Sequence, residues 1–327
     1  MIGSNDGAYG RINRFVLFLK MLNGSSNYVI QQLVLRFSAG EFDICDRKAL
    51  YDFMKEAEAD WKEGSKSACA FPVVVRAGIN AALEKCLECE ETLRKTNATY
   101  CTRFDDVYPW RIKNCEYLSV GGGRKVSDIM PVVLYLKGDA AVLDHSVRSC
   151  AVIGTRKCSG HAFEVGRKVS GLAASKGYSV VGGLALGCDT AGHEGCLRAK
   201  GRTIAVVATG IDRTYPPQNE DLAERIVASG GLLVSEQFPG TPASAFSFVS
   251  RDRIQAMLSD KIVVLQTSSG RGAMHAAKDA HCFGKKIYAL DPKTFGPYDD
   301  ASGNSELIER YGAVEFSADD TSRIFDD

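Results

Sequence analysis

The sequence predicts an α/β protein: a mostly parallel sheet covered by helices on both faces, preceded by a small all-helical domain. Three observations predict it. From residue 148 onward, short apolar runs alternate with amphipathic stretches, the rhythm of strands joined by crossover helices. Those runs are mostly apolar without a polar alternation, as strands buried on both faces are. The first hundred residues carry apolar residues at helical spacing.

The elements follow in order. Residues 1–10 are rich in Gly, Ser and Asn and read as a frayed end. Arg11–Leu22 places Ile12, Phe15, Val16, Phe18 and Leu19 at helical spacing, and Asn23-Gly24-Ser25-Ser26 breaks it. Tyr28–Phe37 reads as a second helix closed by Ala39-Gly40, with further helices over Lys48–Lys62 and Ala77–Lys95. Residues 96–145 change character: Tyr108-Pro109 and Gly121-Gly122-Gly123 are loop signals, and Val132–Leu136 is a short strand running into a turn at Lys137-Gly138-Asp139.

The expected α/β series begins with the strand Cys150–Ile153 and continues with the helix Phe163–Lys176, the strand Tyr178–Val181 and the helix Thr190–Lys200. Next come the strand Thr203–Ala208, the helix Asp221–Ser229 and the strand Leu232–Ser235. The helix Arg251–Ser259, the strand Ile262–Leu265, the helix Ala273–Cys282 and the strand Lys286–Leu290 complete it. This is a Rossmann-like pattern. The expected domains are a helical accessory domain over 1–100, a connector over 101–147 that begins to pair with the next sheet, and the Rossmann-like domain over 148–327.

Composition narrows the function classes. Over 327 residues, 40 Lys and Arg balance 40 Asp and Glu, so the protein is not basic all over. The charge is uneven, with 18 basic against 12 acidic residues from Arg148 to Asp291, and 3 against 9 from Pro292 to Asp327. A basic middle suits an anionic partner; solvated surface charge explains it equally well. Eleven cysteines, an odd number, with no secretory signal fit reduced thiols in the cytoplasm. Cys86 and Cys89 form the one Cys-x-x-Cys, without a second close pair, so a helix position is favoured over a zinc site and no metal is expected. No run of 18 apolar residues exists to span a membrane.

In such folds ligands bind beyond the carboxyl ends of the strands. Three glycine-bearing loops are placed there: Gly154-Thr155-Arg156-Lys157, Gly182-Gly183-Leu184-Ala185-Leu186-Gly187 and Ala208-Thr209-Gly210. Glycine allows close backbone approach, and each loop leads toward a helix whose free N–H groups favour anions. With Arg156 and Lys157 these loops describe a phosphate-binding rim. The first loop is not Gly-x-Gly-x-x-Gly, and no Walker A motif occurs, so a dinucleotide site is not expected. Arg251 and Arg253 form a second basic cluster that reaches the cleft if the segment is a loop. Either of them can instead pair with Asp252 or Asp260. Ser269, Gly270 and Arg271 lie in a further strand-end loop suited to a phosphate.

Catalytic candidates are few. His193 follows Asp189 by four residues, a pair that orients an imidazole or, more commonly, only stabilises a helix. Glu236 is a lone carboxylate, and His275 and His281 do not share a helical face. No nucleophile-and-base set assembles, so no catalytic residue is assigned.

Several motifs resemble the DNA-processing protein A (DprA/Smf) family. They are Ala151-Val152-Ile153-Gly154-Thr155-Arg156, Gly182–Asp189 with His193, Gly201–Val207, Tyr215-Pro216-Pro217-Gln218-Asn219, Ser235-Glu236, Phe238–Pro242 and Ser250–Ile254. Tyr108-Pro109, Pro131–Asp139, Gly303-Asn304-Ser305 and the closing Ala313-Val314 through Asp320 also match. The resemblance covers roughly residues 100–327; the helical start resembles the family's SAM-like domain only in being helical. It implies a non-enzymatic protein that binds single-stranded DNA without sequence preference, dimerises through its Rossmann-like domain, loads RecA recombinase during natural transformation and needs no cofactor. It implies phosphate contacts at Arg156, the Gly182–Gly187 loop, Arg251 and Arg253. Here the family's Gly-Ser-Arg is Gly-Thr-Arg, and its Arg-Arg-Asn-Arg run loses one Arg and has Asp252 for Asn, which weakens the expected affinity. The winged-helix domain of many members has no counterpart in this sequence. The rival is a nucleotide-sensing domain related to phosphoribohydrolases. Hydrolysis itself is disfavoured, because Ser268–Lys278 has Gly270 and Gly272 but no Glu.

Overall fold

The computed structural model describes residues 8–22, 26–37, 42–64, 71, 74–116 and 129–326. The expected loop Gly121-Gly122-Gly123, the break at Asn23-Gly24-Ser25, the Ala39-Gly40 closure and most of the frayed start lie outside the described residues. The chain divides into two compact units, residues 1–108 with 127–134, and residues 109–126 with 135–327. The stretch 101–147 is thus shared between them.

The first unit contains α1 (Ala8–Met21), α2 (Asn27–Arg36), α3 (Arg47–Gly64), α4 (Arg76–Lys95) and the short strand β1 (Thr99–Thr102). Its core is aromatic: Phe15 stacks on Phe37 at 4.2 Å and meets Phe53 edge-on at 5.6 Å. In α4 the buried residues Ile79, Ala82, Leu83, Cys86, Cys89 and Leu93 recur every three or four positions, one helical stripe. Cys86 and Cys89 are therefore core residues, and burial raises the Cys86 thiol pKa. No group of metal-ligating side chains occurs among the described residues, and no described helix is long and apolar enough to cross a membrane.

The second unit opens with the short helix α5 (Trp110–Lys113) and contains β2 (Val133–Gly138) from Tyr135 onward. The series continues with β3 (Ser149–Ile153), α6 (Gly160–Ser175), β4 (Ser179–Gly182), α7 (Cys188–Arg198) and β5 (Thr203–Val207). It ends with α8 (Glu220–Ala228), β6 (Leu232–Ser235), α9 (Ala245–Leu258), β7 (Lys261–Val264), α10 (Gly272–Cys282), β8 (Lys286–Leu290), α11 (Ser302–Tyr311) and β9 (Val314–Phe316). The sheet order in this unit is β2-β6-β5-β4-β3-β7-β8-β9. All neighbours are parallel except β2, which runs antiparallel to β6 with Tyr135 opposite Ser235 and Gly138 opposite Leu232. From β3 the chain builds outward through β4, β5 and β6, then returns to lay β7 on the other side of β3. Right-handed crossovers put α6, α7 and α8 on one face and the later helices on the other. The reversal makes the carboxyl ends of β3 and β7 a topological switch point, where open α/β sheets form their crevice.

The strands are buried at every residue in β3, β4, β5, β6 and β7. That is why apolar runs, rather than alternation, marked them. Ser159 caps α6 by accepting from Ala162 N. Arg111 forks onto Asp260 at 2.7 and 2.9 Å, and Asp260 also accepts from Ser149 N, fixing α5 to the start of β3.

The structure differs from the sequence reading at α1, which already begins at Ala8 within the stretch expected to fray, and at β1 and α5, which were not expected. Three further differences lie in the second unit. The helix expected from Arg251 begins at Ala245, where Ser244 and Ser247 form a reciprocal capping box. Its first turns carry Phe246 and Val249 on the surface, which hides the apolar period. Lys137 and Gly138 remain in β2 instead of turning, because Gly138, at φ +119°, lets Gly231 O approach where a Cβ would stand. The helix α11 and strand β9 were not anticipated in the acidic closing segment; a left-handed Gly312 ends the helix and turns the chain into the strand.

Candidate functional site

The crevice at the switch point holds a cavity of about 480 Å³. The loop after β3 supplies one wall, with Gly154, Thr155, Arg156 and Lys157; the loop after β7 and the start of α10 supply another, with Thr267, Ser268, Arg271 and Gly272. Helix α9 forms the floor with Arg251, Asp252 and Gln255. A second cavity of about 260 Å³ adjoins it, lined by Gly183, Ala185, Leu186, Tyr215, Pro216, Pro217 and Gln218. Arg156, Ala185, Phe248 and Arg251 belong to both.

The β3 loop is held by its neighbour across the sheet. Thr155 N donates to Gln266 O at 2.7 Å, and Gln266 Oε1 accepts from Ser159 N at 2.8 Å. Gly154 is required by packing: a Cβ there would stand 2.4 Å from Cys188 Sγ and 2.7 Å from Gln266 O. With the backbone so fixed, Arg156 and Lys157 project outward and are exposed. The Arg156 guanidinium lies 4.6 Å from the centroid of the Phe248 ring, and Tyr215 meets the same ring at 5.5 Å.

The Gly182–Gly187 loop does something different. Its backbone wraps the carboxylate of Asp189, which accepts from Gly183 N at 3.0 Å and Ala185 N at 3.3 Å. Burial raises the Asp189 pKa; Arg251 and those two amides oppose the rise. Gly183 is where Arg251 lies against the chain: a Cβ would stand 1.2 Å from its Nη1. Arg251 is only 7% exposed. Its Nη1 donates to Val206 O at 3.2 Å, and it faces Asp252 at 3.0 Å and Asp189 at 4.0 Å. Burial pushes the Asp252 carboxyl up to about 7, against the pull of Arg251.

Of the residues singled out from the sequence, Gly154, Thr155, Arg156, Lys157, Ala185, Arg251 and Arg271 line the larger cavity, and Gly183 lines the smaller. Several do not reach either. Gly182 lies beneath the His193 ring, Leu184 is fully buried with φ +60°, and Gly187, at φ +77°, packs against the carbonyls of Thr155 and Arg156. Arg253 does not join Arg251 at the cleft. Both sit inside α9 two residues apart, so they face apart, and Arg253 forks onto Glu236 at 2.7 and 2.8 Å. Ser269 is turned toward α11, its hydroxyl donating to Glu306 and its backbone N–H donating to Ser302 Oγ at 3.0 Å; Gly270 beside it takes φ +70° in open space. The Ala208-Thr209-Gly210 loop lines neither cavity. Its Gly210 N donates to Thr241 O, and Ser235 Oγ donates to Thr209 O, so it is fastened to the β6 side.

His193 is a core histidine. Thr203 Oγ1 donates to Val180 O and so accepts a hydrogen bond from His193 Nδ1–H at 2.7 Å; Nε2 faces Gly182 without a partner. Burial lowers its pKa to about 3, so the ring stays neutral. Sequence reasoning missed Phe248, Gln255 and Thr267. Phe248 lies in the part of α9 that the sequence reading left as loop, and Gln255 is a polar residue on a buried helix face, a signal available in the sequence.

The family described as DNA recombination-mediator protein A matches residues 99–325. Protein Smf of Synechocystis sp. is 39% identical over 165 residues, 49% of this chain and 40% of that protein. DNA processing protein DprA of Bacillus subtilis is 34% identical over 190 residues, 58% of this chain and 63% of that protein. The match thus spans less than two thirds of either relative. DNA processing protein A of Streptococcus pneumoniae shares the fold at a TM-score of 0.67 and 24% identity, covering 96% of this chain and 98% of that one. The Helicobacter pylori protein, described for its single-stranded DNA binding mode, aligns at a TM-score of 0.57 and 24% identity over 70% of this chain and 97% of its own. The chain belongs to the DNA recombination-mediator protein A family, the DprA/Smf proteins.

Proposed function

We propose that this protein binds single-stranded DNA, the ligand named for the solved Helicobacter pylori relative, and that it does so in the crevice at the ends of β3 and β7. The observation that carries the reading is the Arg156 guanidinium lying on the Phe248 ring at the wall shared by the two cavities. A single strand offers alternating phosphates and aromatic faces. A site for it needs cations beside apolar rings, and needs no base-specific hydrogen bonds. Arg156, Lys157 and Arg271 supply the cations; Phe248 and Tyr215 supply rings. The Gly182–Gly187 loop and Arg251 support this wall, and Arg253 acts through Glu236.

The reading is one of binding rather than catalysis: the buried His193 is sealed and neutral, the Asp189 carboxylate is spent on backbone amides, and Asp252 faces Arg251 and accepts from Gln255. The family membership supports a place in DNA recombination, with the bound strand handed to RecA recombinase, a homodimer as the working form and the cytoplasm as its location.

Fluorescence anisotropy with labelled oligonucleotides of increasing length, at low and high salt, tests the reading. Binding should strengthen with length and weaken with salt, the log–log slope being about −0.7 per phosphate contact. Arg156→Ala should flatten that slope by roughly one contact, and Phe248→Ala should cost on the order of 1–3 kcal/mol of affinity by losing stacking. Absence of binding at low salt overturns the reading.

A further inference from the structure

One pair of nucleophilic side chains in the second unit takes no part in the binding wall. Cys158 stands just before Ser159, the cap of α6, and Cys188 is the first residue of α7. Cys158 is half-buried and packs against the core cluster to which the fully buried Cys188 belongs. Their side chains share a hydrogen bond, with the Cys188 thiol donating to the Cys158 sulfur. That bond favours the Cys158 thiolate and holds its pKa below the ordinary thiol value; the same bond and burial raise that of Cys188. The buried thiols of Cys150 and Cys196 show the contrast, each pushed up to about 12 by desolvation. Cys158 thus combines thiolate character, access to solvent and a second thiol in contact, the three properties of an oxidisable cysteine.

The two sulfurs differ in freedom. Cys188 is fixed: its N–H donates to Thr155 O at 3.2 Å, and its Sγ lies 2.4 Å from where a Cβ on Gly154 would stand. Cys158 lies on the loop after β3, two residues beyond Arg156. A disulfide bond is only about 2.05 Å long, well inside the contact distance of two hydrogen-bonded sulfurs. Bonding the pair must therefore draw Cys158 toward α7, and Arg156 and Lys157 with it.

We propose that Cys158 and Cys188 form a redox switch, in which a hydroperoxide joins them in an intramolecular disulfide that shifts Arg156 from the Phe248 ring and weakens strand binding. The Cys158 thiolate attacks the peroxide, the O–O bond breaks, the alcohol or water leaves with a proton, and Cys158 becomes a sulfenic acid. Cys188 then attacks that sulfur, the S–S bond forms and water departs. Two thiols and one hydroperoxide give one disulfide, one alcohol (or water) and one water, the two electrons passing from sulfur to the peroxide oxygens. A dithiol reverses the step. The effect on binding rests on the single-stranded DNA reading; the disulfide does not.

The test uses the full chain, reduced, freed of reductant and treated with hydrogen peroxide, its remaining thiols then alkylated. Peptide mass spectrometry should find Cys158 joined to Cys188, in a chain that migrates as a monomer without reductant, and dithiothreitol should release the pair. In Cys188→Ala the same treatment should leave Cys158 as a sulfenic acid that dimedone captures. Thermal unfolding checks that this variant and Cys158→Ser are folded. By anisotropy, the oxidised wild type should bind a labelled oligonucleotide about two- to fivefold more weakly than the reduced protein, the worth of one exposed cation on a ring. Dithiothreitol should restore the affinity, and peroxide should leave that of Cys158→Ser unchanged. Absence of the Cys158–Cys188 link overturns the proposal. So does a linked protein that binds as tightly as the reduced one. If the reduced protein does not bind at all, the DNA reading and the effect on binding fall together, and the linked peptide still decides the disulfide.

Discussion

The loops after β4 and after β7 look alike as sequence and behave as opposites. Each is short, rich in glycine and aimed at the N-terminus of a helix. The β4 loop is filled in: Gly183 makes room for the Arg251 guanidinium, Gly187 for two carbonyls, and Leu184 is fully buried. The β7 loop is open: a Cβ on Gly270 or Gly272 would meet nothing within 4 Å. Glycine in the first is a packing requirement, and in the second it leaves space at the mouth of the cavity. A glycine-rich loop at a strand end therefore marks a place where the chain comes close to something, without saying whether that is a ligand or the protein itself.

The strongest way to break this contrast is at Gly183. Gly183→Ala places a methyl on the Arg251 guanidinium, which must leave Asp189 and Asp252. Separating a buried ion pair costs about 3–5 kcal/mol, and Arg251→Met should cost a similar amount. Denaturant unfolding should show the loss, with the double variant no worse than roughly the larger single one, because both act on one cluster. Full additivity would separate Gly183 from Arg251 and sink the account of that loop.

A smaller effect follows from Asp252. Its carboxyl, raised to about 7 by burial, is neutral below that pH and charged above it. The groups around it are Arg251, Asp189, Asp279 and Arg156. Ionisation adds a negative charge to the floor of the cavity proposed to bind the strand, so affinity for an oligonucleotide should fall as pH rises from 6 to 8. The expected change is on the order of 1 kcal/mol at an effective dielectric near 20. The sign for stability is the same: the folded state holds this proton more tightly than the unfolded chain, so stability from this group declines between pH about 4 and about 7. Anisotropy at matched ionic strength checks the first, with Asp252→Asn expected to abolish the pH dependence.

The smallest effects belong to the open loop. Gly272→Ala adds a methyl in free space at the start of α10 and should change stability by less than about 0.5 kcal/mol. Gly270→Ala should cost about 1 kcal/mol, because φ +70° is unfavourable for an L side chain even without a clash. Thermal unfolding distinguishes these from the Gly183 variant by their size alone. A large loss at Gly272 would mean that this loop is packed after all.

The sequence by itself determined the alternation of strands and helices in the second unit and the helical stripe of the first. It also placed two of the three expected glycine loops at the crevice. These are local matters: a strand buried on both faces must be mostly apolar, a helix needs a period near 3.6, and a loop after a parallel strand opens at its carboxyl end. Arg156 was legible as a candidate because no packing need explains a cation two residues after Gly154. The rest was decided between distant segments. Arg251 and Arg253 read as one basic cluster, yet the helix that carries them directs one to Gly183 and the other to Glu236, 17 residues back in the chain. His193 and Asp189 read as a possible pair, yet one bonds Thr203 and the other the amides of Gly183 and Ala185. Whether a polar side chain meets a ligand or the protein depends on what the fold brings within about 3 Å of it. Sequence spacing along one element does not contain that distance; the crossing of β3, β7 and α9 does.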